Sequence, residues 1–173
     1  FNTGPFMKMG DGHVKQEDRM WLKRQLQQEM PGKNKVLIAI AHYPLSEGLN
    51  NWVEVTDILK SFDCRIVFCG HGHRLALLNF NGIPGIMGRT ALPGNSGRPG
   101  YSIVRLRNDS VKVFNKELSG HLGKPVIALN YLKPDTLSEL AVSPRPDYSV
   151  NQTYAGRLFV AGWADTASIF AGP

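Results

Sequence analysis

Arg65-Ile66-Val67-Phe68-Cys69-Gly70-His71-Gly72-His73-Arg74 is the stretch around which this chain is read. An apolar run without polar alternation suits a strand covered on both faces. It ends in a glycine, followed by two imidazoles one residue apart. Neutral imidazole is a ligand for zinc, iron and manganese. On extended chain, residues i and i+2 point to the same side, roughly 6–7 Å apart. That spacing suits two ions about 3.5–4 Å apart, one on each ring. Gly70 and Gly72 are expected to supply backbone angles that other residues resist and to leave room for the ions. The competing reading is a surface turn that happens to carry two histidines.

Upstream, Lys35 to Ala41 (KVLIAIA) is a second apolar run, predicted as a strand buried on both faces, and His42-Tyr43-Pro44 follows it. Pro44 pushes Tyr43 to an extended conformation, so His42 is the last residue before the chain leaves the sheet. Between the two strands, Asn50 to Phe62 reads as a helix. Trp52, Val55, Leu59 and Phe62 share one face, and Asn50 or Asn51 is placed to cap it. Strand, helix, strand predicts a right-handed crossover between parallel strands. Both strands then end at one edge, presenting His42, His71 and His73 where open α/β sheets bind ligands.

Farther out, Val14 to Met30 is predicted as a helix with Leu22, Leu26 and Met30 as its apolar stripe, widened by Trp21 and ended by Pro31. Phe1 to His13 is loop-like, and Gly10-Asp11-Gly12-His13 reads as a Gly-rich connection with no strand leading into it. Strands are predicted at Arg74 to Phe80, Ile83 to Gly88, Tyr101 to Leu106 and Val111 to Leu118. Asn81-Gly82, the loop from Leu92 to Gly100, and Asn108-Asp109 separate them, which predicts an antiparallel meander.

Of the 173 residues, 42% are hydrophobic, enough for a core and against disorder. The net charge of +6 is scattered, so nucleic acid is not an indicated partner. No apolar run reaches the about 18 residues of a membrane span. Cys64 and Cys69 are the only cysteines. Five positions apart on one strand they face opposite ways, roughly 16 Å from each other, and should not pair. The start at Phe1 rather than Met is consistent with loss of a natural beginning.

Gly70-His71-Gly72-His73 after a strand, with Lys35 to Pro44 upstream, resembles the calcineurin-like metallophosphoesterases. Trp21-Leu22, Gly88-Arg89 and Gly100-Tyr101 also look like that family, and the resemblance covers residues 10–118. It implies an α/β (α+β) fold, a phosphoesterase β-sandwich flanked by helices. It implies two divalent ions (Mn, Fe or Zn), with His42 and His71 on one and His73 on the other, and hydrolysis of a phosphomonoester or phosphodiester by metal-bound hydroxide. Arg89, after a strand, is the candidate for binding the substrate phosphate, with Arg98 a weaker one. The family's Asp-x-His, Gly-Asp-x-x-Asp and Gly-Asn-His motifs are absent. The chain therefore reads as the C-terminal half of such a domain, lacking its N-terminal half and inactive alone.

A boundary is expected near residue 119. Residues 1–118 form the phosphoesterase half and 119–173 a linker and short β-containing extension. Asn151 to Tyr154, Arg157 to Trp163 and Ala167 to Pro173 resemble the opening blade of a PQQ-type β-propeller. Such propellers follow phosphoesterases in some exported bacterial proteins, which would make the parent a periplasmic or exported bacterial protein; the localisation is otherwise open. An extension packed on the phosphoesterase sheet is the preferred alternative. The alternatives to an enzyme are a scaffold module with vestigial histidines and a single structural metal site.

Overall fold

The computed structural model describes residues 3, 12–32, 35–91, 100–117, 120, 122–130 and 140–144. In order these give α1 (Gln16–Glu29), β1 (Leu37–Ile40), α2 (Trp52–Ser61), β2 (Cys64–Cys69), β3 (Ala76–Phe80), β4 (Ile83–Met87), β5 (Gly100–Leu106), β6 (Ser110–Glu117) and β7 (Ile127–Asn130). Every described residue but Pro144 belongs to one unit, Phe1–Ser143. The propeller-like segment, Gly10-Asp11 and Arg98 lie outside the described residues.

The strands form a mixed sheet in the order β1-β2-β4-β3 and a second sheet in the order β5-β6-β7. β1 and β2 are parallel, as the strand–helix–strand pattern predicts. Side chains of the first sheet divide between two cores. Ala39, Val67, Cys69 and Met87 pack with Leu22 and Leu26 of α1 and Trp52, Val55 and Leu59 of α2. Ile38, Ile66, Phe68 and Ile86 pack instead with Val111 and Val113 of β6 and Ile127 and Leu129 of β7. The layers are thus helices, sheet, sheet: a mixed α+β architecture with few helices, as expected. No helix among the described residues is long and apolar enough to cross a membrane.

The expected meander is corrected. β3 and β4 do form an antiparallel hairpin. Its Asn81-Gly82 turn has positive φ at both residues, the geometry that matches strand twist in two-residue hairpins. But β4 then slots between β2 and β3, parallel to β2. All five of its residues are buried, so it takes the centre of the sheet and leaves the less buried β3 outside. β5 to β7 make the meander of the second sheet, and β7, the first strand past residue 119, pairs antiparallel with β6.

Four smaller expectations also change. β1 is not covered on both faces: it ends the sheet, and Val36 and Ile40 are exposed. Trp21 does not widen the α1 stripe. It and Met20 are exposed, because the helix buries only the narrow row through Leu22 and Leu26. Asn51 stands at the N-cap of α2 without making a side-chain cap bond. Its amide instead donates to the carbonyl of Val14 and its Oδ1 accepts from the Val14 N–H, at 2.7 and 3.1 Å. Finally, Cys64 and Cys69 both face the helix-side core, because the register between β1 and β2 is irregular where Cys64 is followed by Ile66. Both are free, as expected. Burial pushes their thiols up, to about 11 and about 12 respectively, so neither is a thiolate near neutrality.

Candidate metal and phosphate site

The site is built from three strand ends. β1, β2 and β4 run parallel, so their carboxyl ends emerge at one edge of the sheet. Backbone bonds continue past the strands and tie these ends together. Ala41 N–H donates to Phe68 O, Gly70 N–H to His42 O, and Gly88 N–H to Cys69 O, at 3.0, 2.9 and 2.8 Å. This places His42 after β1, His71 and His73 after β2, and Arg89 after β4. The insertion of β4 beside β2, unforeseen in the sequence, is what brings Arg89 to the histidine edge.

The His-Gly-His turn is not extended. Gly72 N–H donates to Gly70 O at 2.7 Å, and His71 between them has φ +64°. A bond from i+2 back to i with a positive central φ is the rare, strained form of the γ-turn. His73 also has positive φ, +55°. The expectation for the glycines is therefore corrected: the left-handed conformations fall on the two histidines. What Gly72 supplies is space. A Cβ there would stand 2.4 Å from Met87 Sδ, so the turn lies against the end of β4. Strain of this kind costs about 1–3 kcal/mol per residue and persists where the surroundings over-determine it.

His42, His71 and His73 are all exposed at their edge. The rings of His42 and His71 meet edge-on, 5.5 Å between centroids. Tyr43, absent from the sequence-derived site, completes the cluster. Its buried ring stacks on His71 at 4.1 Å and 29°, and His42 meets it edge-on at 5.4 Å. Behind it, the hydroxyl of buried Thr3 accepts from both the His42 and Tyr43 amides, at 3.1 and 2.9 Å. Neither residue had a sequence signal beyond Tyr43 preceding a proline, because both act through tertiary contacts.

How well do these donors fit the implied metals? With a metal–nitrogen bond of about 2.0–2.1 Å, two imidazoles on one tetrahedral ion have centroids roughly 5–5.5 Å apart. The His42–His71 separation fits one such ion. A two-ion centre does not fit the described residues by themselves. No three His, Cys, Asp or Glu side chains converge among them. The edge segments 42–45, 70–74 and 88–91 contain no carboxylate to bridge two ions.

No protein-family model matches the sequence, and no curated protein matches it. Solved structures do. A dimetal phosphatase from Danio rerio superimposes with a TM-score of 0.52 at 16% identity, over 69% of this chain and 39% of that one. A single mutant of vacuolar protein sorting 29 from Entamoeba histolytica gives a TM-score of 0.38 at 16% identity, over 59% and 64% of the two chains. The same protein from Cryptosporidium parvum gives 0.38 at 18% identity, over 54% and 51%. The present chain thus spans less than two thirds of the length of each, and 39% of the first. At such identities a likeness speaks for fold alone, and only the first superposition is close enough to do so. Together with the layers and sheet order, it gives the chain a metallophosphoesterase-like fold.

Proposed function

We propose that this chain supplies one wall of a metal-dependent phosphoesterase site acting on a phosphomonoester or phosphodiester. His42 and His71 hold one divalent ion, His73 contributes to a second (Mn, Fe or Zn), and the Arg89 guanidinium takes a phosphate oxygen pair. Bound ions of this class neutralise phosphate charge and generate a hydroxide nucleophile. On this reading the remaining ligands, a carboxylate among them, would come from an N-terminal half of the same domain. The observation that carries the reading is the convergence of three parallel strand ends, with His42 and His71 at ion-sharing distance. The fold neighbour, itself described as a dimetal phosphatase, lends the reading support through architecture only.

The isolated chain is then expected to be inactive. Purified protein with manganese and bis(p-nitrophenyl) phosphate should show no turnover above buffer. Hydrolysis that His71→Ala abolishes would overturn the division of the site between two halves. A second reading, a scaffold module or a single structural ion, draws on the exposure of all three imidazoles.

A further inference from the structure

His71 occupies a backbone conformation that non-glycine residues avoid, on an exposed turn. The turn's own bonds, Gly72 N–H to Gly70 O and Gly70 N–H to His42 O, fix the main chain. They leave the imidazole free to rotate about its side-chain torsions. The side chain seen stacked on that ring is Tyr43, 4.1 Å away and 29° from coplanar. Tyr43 is itself immobilised. Its ring is buried and its amide is bonded to Thr3 Oγ, which also holds the His42 amide. One hydroxyl thus anchors the two residues that flank His71, and one aromatic ring touches both imidazoles, stacked on His71 and T-shaped to His42.

We infer that Tyr43 is a positioning residue: its ring fixes the plane of the His71 imidazole beside His42, so that the two present their nitrogens as a pair. The pairing matters only if the metal-site reading above is right, whereas the hold of Tyr43 on His71 stands or falls separately. A residue that holds a metal-ligating histidine in its orientation commonly matters about 10–100-fold in affinity. A stacked aromatic face acts on orientation as such a residue does, without a hydrogen bond.

The test uses the chain with zinc alone as probe, compared with Tyr43→Phe, Tyr43→Leu and His71→Ala. Two readouts are taken: the imidazole proton resonances of His71 by NMR, and zinc affinity by calorimetry. Tyr43→Phe keeps the stack and should match wild type within about twofold. Tyr43→Leu should move the His71 resonances out of the ring-current field and weaken zinc about 10–100-fold, towards the His71→Ala value. Loss in Leu with rescue by Phe separates positioning from bulk packing. Should Tyr43→Leu not fold, Thr3→Val takes its place: it removes the acceptor of both amides and should shift the same resonances. His71 resonances and affinity unchanged in Tyr43→Leu, or in Thr3→Val where that variant stands in, would overturn the inference. Wild-type protein that binds no zinc, with His71 resonances still displaced in Tyr43→Leu, would remove ion binding by His42 and His71 alone and uphold the role of Tyr43.

Discussion

Gly85→Val should cost about 3 kcal/mol or more, a large part of the stability of a typical domain. Gly85 sits in the middle of β4, between β2 and β3. A Cβ there would lie 2.2 and 2.5 Å from two ring carbons of Phe80. Phe80 is 2% exposed and part of the helix-side core, so its ring has nowhere to retreat. Denaturant unfolding would show a lower midpoint, or no folded baseline at all. Gly85→Ala should be milder, and Phe80→Leu placed on top of it should recover part of the loss, since the two sites are in contact. Equal stability of Gly85→Val and wild type would mean that β4 is not packed as described.

The second large effect belongs to Asn51. Its side chain bonds both the N–H and the carbonyl of Val14, a residue with no exposure, and so fastens the segment before α1 to the start of α2. Asn51→Leu strands two buried backbone groups, each worth about 1–3 kcal/mol when left unmade. A loss of about 3 kcal/mol is expected, read as a shifted unfolding midpoint. Asn51→Asp keeps the acceptor for the Val14 N–H but gives up the donor, and should fall between. A capping role would predict a different ranking, with Asp as good as Asn.

Much of the fold was legible because it rests on local periodicity. Trp52, Val55 and Leu59 recur at helical spacing, and the runs ending at His42 and at Gly70 read as strands from composition alone. Asn81-Gly82 states its turn type through the two positive φ angles it adopts. Sheet order was less legible. Nothing local distinguishes a hairpin that extends a sheet from one whose return strand is inserted beside β2, and only the complete burial of β4 gives its place away. The irregularity near Arg65 likewise turned Cys64 to the face of Cys69 against simple alternation.

At the candidate site the sequence reading put the histidines at one sheet edge, where the parallel strand ends do lie, and mistook the geometry of the turn. His42, His71, His73 and Arg89 do lie at neighbouring strand ends. The stretch expected to be extended holds a γ-turn at Gly70-His71-Gly72, however, and the positive φ angles fall on His71 and His73 rather than on the glycines. Thr3 and Tyr43 were invisible because a hydroxyl meeting two amides forty residues away, and a ring lying flat on another, leave no mark in spacing.

The central claim, that this edge is one wall of a two-ion site, is tested most directly by counting metals in the intact parent protein by inductively coupled plasma mass spectrometry. Two divalent ions per chain are predicted, falling when His71 is replaced by alanine. One ion per chain, or none, with no response to that substitution, would contradict it.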